Sequence, residues 1–323
     1  MKEQKYSKAQ AERYARAALE KTLSRTVKTI RCIGCGSYGV VFEATTDKTP
    51  RTVIMKGFSV SGACEREAAE LRLLGQDSVV KVPEVYFTFA GTQDCPMDFL
   101  CMEKVRGTNS FTDFKKLLRP KREKAAFAQT VAAAAHHWHT QTNGKFGPIG
   151  SAVYDTWLDY YRPVAAGILE EARRMAQKGR FEKYALAVME RGWEAFDTIF
   201  SEPVEKACLI HGDLHVMNIM SDNKLRVTAV IDPQDSMWAD PEYELFQFRN
   251  MTGDLFGLYR TYKEKYPVSA SCDIKIAFYA LYHEADFYFK TDRRTHEYLP
   301  VFVLRMKKEL RRAGLWPGPE KNT

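Results

Sequence analysis

Apolar and polar residues follow two different periods along this chain, and the change between them divides it near residue 106. Up to that point the apolar residues come in short runs rich in β-branched and aromatic side chains, each bounded by turn chemistry. Val27–Ile33, Val40–Ala44, Thr52–Lys56, Lys81–Phe89 and Asp98–Val105 read as five strands, with Asp47-Lys48-Thr49-Pro50 as a turn. Two helical patterns interrupt them. Residues 7–23 carry good helix formers behind a candidate N-cap, Ser7, and Ala63–Gly75 places Leu71 and Leu74 at helical spacing before a terminal glycine. The pattern predicts a five-stranded antiparallel sheet with one helix, and a leading helix lying on it.

From residue 107 the period becomes helical. Lys121–Thr140 reads as one long amphipathic helix, followed by helices over Val153–Gln177 and about Phe181–Phe200, a polar-faced helix over Phe278–Phe289, and a last basic helix around Arg305–Arg312. One stretch departs from this. In Leu209–Asp232 two apolar segments, Leu209-Ile210 and Ile219-Met220, flank the polar loop HGDLHVMN; Ser221–Lys224 is turn chemistry, and Arg226–Ile231 alternates like a strand and delivers Asp232 at its end. Asp213, Asn218 and Asp232 can thereby meet at the mouth of a small hairpin. One carboxylate can accept a hydroxyl proton, and an amide oxygen with a second carboxylate are hard ligands suited to Mg²⁺. Together these are the parts phosphoryl transfer uses.

Composition narrows the class without naming a reaction. The chain has 323 residues, 45% hydrophobic and 28% charged, enough for two domains with real cores, expected at 1–106 and 107–323. The net charge of +7 is spread along the chain, which suits a phosphate-rich ligand and gives no nucleic-acid stripe. The polar start MKEQKYSKAQ is no signal peptide, and no apolar run reaches the length of a membrane span. Seven scattered cysteines read as reduced thiols in a cytoplasmic protein, with Cys32 and Cys35 as ordinary strand and loop residues because no second C-x-x-C follows. His136, His137 and His139 do not share one helical face, so packing or surface roles outweigh a metal site. His211 and His215 have zinc-pair spacing, but Gly212-Asp213 between them disfavours the helix such a pair needs.

Further candidates fall in order along the chain. Gly34-Cys35-Gly36-Ser37-Tyr38-Gly39 is followed by the strand-like Val40-Val41-Phe42, where a dinucleotide fingerprint would require a helix. A glycine turn between two strands instead lets backbone N–H groups approach phosphate oxygens. Lys56 ends an apolar strand, where its ammonium can point into a cleft. A glutamate of the 63–75 helix can hold it, Glu67 first and Glu70 second. Met102–Gly107 is the expected hinge, with backbone near Glu103 and Val105 suited to an adenine edge.

Gly-rich turn, lysine, helical glutamate, hinge, H-G-D-x-x-x-x-N and I-D stand in kinase order. The loop His211-Gly212-Asp213-Leu214-His215 with Asn218, and Asp232 in I-D-P, resembles the aminoglycoside phosphotransferase and choline kinase superfamily, a branch of the protein-kinase-like fold. The run Val80–Pro83, the segment Leu281–Asp286 and Asp240-Pro-Glu-Tyr-Glu244-Leu look similar to fructosamine kinases, while Ser37-Tyr38 is closer to the general kinase form. The resemblance implies a bilobal α+β fold: an N-terminal five-stranded sheet lobe and a mainly helical C-terminal lobe. It implies Asp213 as the base, Asn218 and Asp232 as Mg²⁺ ligands, Lys56 held by Glu67 on the phosphates of ATP, and Asp240 bonding back to the loop backbone around His211 and Gly212. The nucleotide can be ATP or GTP, decided by the shape near Met102. Acceptor candidates are Asp235, Tyr282, His283, Glu284, Asp286 and Tyr288, whose carboxylates favour an amine-bearing molecule such as an aminoglycoside, amino sugar or ketosamine. No Ala-Pro-Glu follows and the Asp232–Asp240 gap is short, which argues against a protein kinase; a nucleotide-binding pseudokinase is disfavoured because every catalytic position is filled.

Overall fold

The computed structural model describes residues 6–36, 39–109, 112–250, 253–291 and 298–316. Its first elements are α1 (Lys8–Leu23), β1 (Val27–Cys35), β2 (Gly39–Thr46), β3 (Thr52–Phe58), α2 (Ala63–Gly75), β4 (Val85–Phe89), β5 (Asp98–Glu103), β6 (Thr108–Asn109) and α3 (Lys121–Thr140). Then come β7 (Thr142–Asn143), β8 (Gly147–Pro148), α4 (Trp157–Gln177), α5 (Lys183–Glu194), α6 (Phe196–Ile199), β9 (Ala207–Ile210), β10 (Ile219–Ser221), β11 (Val227–Val230) and β12 (Met237–Ala239). The chain ends through α7 (Pro241–Leu245), α8 (Gly253–Phe256), α9 (Leu258–Lys265), α10 (Cys272–Thr291) and α11 (Leu299–Arg312). This is the α+β fold the sequence pattern implies.

The chain divides into two compact units. One takes the chain up to Trp138 together with Val216–Ser236; the other takes His139–His215 and everything from Met237 onward. The division does not fall at residue 106. The hairpin of β10 and β11 pairs with β6 in a sheet of order β11-β10-β6, so a segment from far along the chain belongs with the first unit. Buried Lys116 fastens that sheet, its Nζ donating to Thr108 O (2.6 Å), Ser221 O (2.8 Å) and Ser221 Oγ (3.0 Å).

The larger sheet of the first unit is antiparallel throughout, with order β1-β2-β3-β5-β4. α1 covers one face of it. Ala11, Ala15, Ala18 and Leu19, spaced three and four apart, meet Phe42, Val53, Met55 and Phe99 in one core. The helix begins where expected. Ser7 Oγ accepts from Gln10 N (3.2 Å) and Gln10 Oε1 accepts from Ser7 N (2.8 Å), a capping box that contributes about 1 kcal/mol. Gly39 is demanded by packing, since a Cβ there would lie 2.2 Å from Gly57 O on β3. The Sγ atoms of Cys32 and Cys35 lie 3.5 Å apart as free thiols beside a β-bulge.

The second unit is mainly helical around a small sheet of order β7-β9-β12-β8. Its core is aromatic. Trp157 stacks on Tyr161 (centroids 5.4 Å, planes 8° apart), and Tyr161 meets Tyr279 edge-on at 4.9 Å. The buried indole of Trp157 donates to Tyr279 Oη at 2.8 Å, so its N–H is paired inside the core. His139 of the three-histidine run shares a 2.7 Å hydrogen bond with Tyr262, a packing role. Among the described residues no helix is long and apolar enough to cross a membrane.

Candidate active site

The first unit carries the glycine turn, Lys56 and Glu67. β1 ends in Gly34 and Cys35, and the turn closes by Gly36 N donating to Gly39 O at 2.9 Å; Ser37 and Tyr38 lie outside the described residues. Lys56 stands on β3, and its Nζ donates to Glu67 Oε2 of α2 at 2.6 Å and to Asp232 Oδ1. Of the two glutamates open to Lys56, the structure selects Glu67. Burial is the largest influence on Lys56 and works against its charge, but Glu67 and then Asp232 outweigh it and hold the ammonium up at about 12. At Glu67 burial also dominates and wins, pushing the carboxyl up to about 7 against the pull of Lys56. Lys56 therefore keeps its proton throughout the physiological range. Glu70 is pushed up to about 8 by burial, then by the charges of Glu67 and Asp235.

Asn218 and Asp232 flank the β10–β11 hairpin. Ile231 N donates to Asn218 O at 2.9 Å, and Asn218 Nδ2 reaches Asp232 O at 3.5 Å. Asp232 is held at φ 58° and Asp235 at φ 57°, left-handed conformations that cost a residue with a Cβ roughly 1 kcal/mol or more. The strain aims a carboxylate that is half exposed while the amide beside it is buried. An amide and a carboxylate at one hairpin mouth form a hard-oxygen donor set, which fits a Mg²⁺ ion. At the expected hinge, Met102 is buried in β5 opposite Ile54 and Val85. The N–H of Glu103 donates to Glu84 O at 2.8 Å and its carboxylate pairs with Lys81, so that N–H cannot serve an adenine edge. Val105 remains the donor candidate of that stretch.

The second unit carries the loop with Asp213. β9 delivers His211, Gly212 and Asp213, and Gly212 turns the chain at φ 84°, a value glycine adopts without penalty. Asp213 Oδ1 lies 3.3 Å from His215 Nε2 and accepts from Gln247 Nε2 at 3.0 Å. Burial pushes this carboxyl up, but His215 above all, then His283 and His211, hold it below its ordinary value. It is therefore an ionised carboxylate ready to accept a hydrogen bond from a hydroxyl.

The loop is fastened by a different acid from the one expected. Glu244 Oε2 accepts from His211 N (2.5 Å) and Gly212 N (3.4 Å), and Oε1 from Leu214 N (3.4 Å). Asp240, assigned that task by resemblance, instead caps α7 by accepting from Glu242 N at 2.9 Å, pairs with Lys275 at 2.6 Å and accepts from Tyr279 Oη at 2.8 Å. The two acids stand four apart around one short helix, and the one a turn further on reaches the loop. A lysine at 275 between Ile274 and Ile276 was the signal that a buried acid must face it. Gln247 carried no such signal, because a lone glutamine has no signature of its own.

The acceptor candidates separate. His283 acts on Asp213 and packs against Phe246, ring centroids 4.8 Å apart. Asp286 pairs with Lys290 one turn on, at 2.6 Å. Glu284 is half-buried on α10, and Asp235 is exposed in the first unit. Tyr282 and Tyr288 are core residues, a correction to the sequence reading. Both are buried, and their hydroxyls donate to Met189 O (2.9 Å) and Arg180 O (2.6 Å). An aromatic residue on a polar-faced helix looks the same in sequence whether its hydroxyl meets ligand or backbone.

The chain belongs to the phosphotransferase enzyme family (APH), whose model matches residues 31–267, and it is a small-molecule phosphotransferase. The uncharacterized protein YcbJ of Escherichia coli K12 is 21% identical over 274 residues, covering 83% of this chain and 90% of that protein. Hygromycin-B 4-O-kinase of Escherichia coli is 31% identical over 134 residues, 42% of this chain and 36% of the other. The crystal structure of a putative fructosamine-3-kinase from Haemophilus somnus 129PT superposes with a TM-score of 0.66 at 16% identity, covering 91% of this chain and 96% of that one, and so shares the fold.

Proposed function

We propose that the chain is an ATP- and Mg²⁺-dependent kinase that transfers the γ-phosphoryl group to a hydroxyl of a small polar molecule of the aminoglycoside, amino sugar or ketosamine type. The observation that carries this reading is the Lys56–Glu67–Asp232 ion cluster beside Asn218. Lys56, kept cationic, would bind the α- and β-phosphates, and the glycine turn would offer N–H groups to phosphate oxygens. Asn218 and Asp232 would hold Mg²⁺, which when bound neutralises charge on the β- and γ-phosphates. Asp213 would orient the acceptor hydroxyl and take its proton as the phosphoryl group leaves ADP. No covalent enzyme intermediate is needed; rate comes from positioning and charge. His283 and Glu284 are the α10 groups suited to the acceptor. The relation to a hygromycin kinase supports an amine-bearing polyol, and seven free thiols fit a reducing compartment such as the cytoplasm.

The test is calorimetric titration with ATP and Mg²⁺, followed by a panel of hygromycin B and other aminoglycosides, ketosamines, choline and amino sugars. The expected result is nucleotide binding and phosphorylation within at least one class. Asp213→Ala should lower turnover by about 10³-fold or more while leaving nucleotide affinity within about threefold. Nucleotide binding with no transfer to any acceptor would make the chain a regulatory scaffold instead, and normal turnover in Asp213→Ala would remove that residue as the base.

A further inference from the structure

Gln247 lies on the short 3₁₀ turn Gln247–Arg249 that follows α7, and its side chain is buried. Its amide makes a chain of contacts at both ends. Nε2 donates to Asp213 Oδ1 at 3.0 Å and approaches Gly212 O at 3.4 Å. Oε1 accepts from Asn250 Nδ2 at 2.7 Å, and the two acceptors Asp213 Oδ1 and Gly212 O require the N–H₂ end of the amide to face the loop. A buried glutamine whose oxygen is already engaged can only present its N–H₂ to the carboxylate. We propose that Gln247, set by Asn250, is the positioning residue of Asp213: it fixes the rotation of the carboxylate about its Cβ–Cγ bond. This rests on Asp213 being the base of the proposed transfer.

The physical need follows from what the base must do. A carboxylate that receives a hydroxyl proton needs one oxygen held so that the other keeps a constant direction. Asp213 follows the left-handed turn at Gly212, and its backbone N–H approaches His211 Nδ1 at 3.3 Å. Glu244 fixes the loop's main chain but does not touch the Asp213 side chain through any of its three bonds. Gln247 adds a side-chain bond to Asp213 from the turn after α7, on the same Oδ1 that His215 Nε2 approaches at 3.3 Å. Loop and carboxylate are thus located by one rigid piece of chain. The titratable groups facing Asp213 are His211 and His215 on its own loop, His283 on α10 and Glu244 on α7. Gln247 adds a donor that carries no charge and so does not change with pH.

The experiment compares Gln247→Leu and Asn250→Ala with the parent and with Asp213→Ala. ATP·Mg²⁺ is the donor, and the acceptor is the panel member turned over fastest, or water if none is. Gln247→Leu should lose about 10–10²-fold in kcat with nucleotide KM within twofold, because a misaimed base costs rate and not binding. The acidic limb of its kcat–pH profile should move to higher pH, since a donor to the ionised carboxylate is gone. Asn250→Ala removes the bond that holds Gln247 Oε1 and should show the same two changes in smaller measure, so it tests the role should Gln247→Leu fail to fold. Unchanged kcat and an unmoved acidic limb in both variants, with Asp213→Ala inactive, would overturn the positioning role alone. Full activity in Asp213→Ala would instead overturn the transfer mechanism on which it rests.

Discussion

Two lysines in this chain are each held between two carboxylates, and their surroundings differ. Lys56 lies between Glu67 and Asp232; Lys275 lies between Asp240 (2.6 Å) and Glu242 (2.7 Å). Around Lys275 every charge is enclosed and answered. The three side chains are 3%, 2% and 7% exposed, Tyr279 donates to Asp240, and Ser269 gives both its N–H and its hydroxyl to Glu242. Around Lys56 the answering is incomplete. Asp232 is 50% exposed in a left-handed conformation, and Glu67 Oε1 is buried without a hydrogen-bond partner among the described residues. A buried charge network completed by neutral donors holds a fold; one left open toward solvent has capacity for a ligand. The same three residue types thus form a closed cluster in one unit and an open one in the other.

The comparison breaks most visibly at Lys275. Removing this ammonium leaves two carboxylates facing each other out of water, a loss of about 3–5 kcal/mol. Lys275→Ala should therefore lower the urea midpoint and the melting temperature of the protein sharply, by roughly 10 °C. Nucleotide affinity, measured by calorimetry on whatever remains folded, should be near the parent value. A melting temperature within 2 °C or so of the parent would remove the claim that this cluster is structural.

How far sequence could see into this contrast depended on whether a residue's partner lay nearby along the chain or carried its own pattern. Strands and helices were legible because burial imposes a period, and the boundaries of α1 and α3 followed from a capping serine and from an unbroken amphipathic run. Lys56, Glu67, Asn218 and Asp232 stood in positions that strand ends and a hairpin could bring together. Asp240 and Glu244 were not separable in the same way. Both are acids on one short helix, and which of them turns to the loop depends on where α10 places Lys275. Tyr282 and Tyr288 failed for a related reason: the partners that bury them, carbonyls of Met189 and Arg180, lie about a hundred residues away and have no sequence signal.

Lys56 gives the complementary test. Lys56→Met keeps the stem of the side chain in place and removes the charge. Glu67 already sits near 7, so it can take a proton when its partner is lost, and Asp232 can turn to solvent. Stability should change by less than about 1 kcal/mol, in contrast to Lys275. Phosphoryl transfer should fall by about 10²–10³-fold, since a preorganised donor to the phosphates has gone. Steady-state kinetics beside a urea titration separates the two quantities. A stability loss as large as that of Lys275→Ala, with activity kept, would reverse the assignment of the two clusters.

The smallest effect expected is a pH slope from Glu67. Its carboxyl lies near 7 in the folded chain and at an ordinary value of 4.5 when free of these surroundings. As pH rises the unfolded chain gives up this proton first, so between about 4.5 and 7 the folded state binds the extra proton. The contribution to stability is therefore present below that window, declines as pH rises through it, and is level above it. Glu67→Gln has no proton to release and should remove this component, leaving a flatter dependence of the urea midpoint from pH 5 to 7.5. Its amide oxygen can still accept from Lys56, so activity should fall only about tenfold where Lys56→Met falls further. Parallel slopes in parent and variant would mean that Glu67 is ionised across the range. Its pairing with Lys56 would then be as complete as that of Lys275 with its two acids, and the contrast between the clusters would rest on the exposure of Asp232 alone.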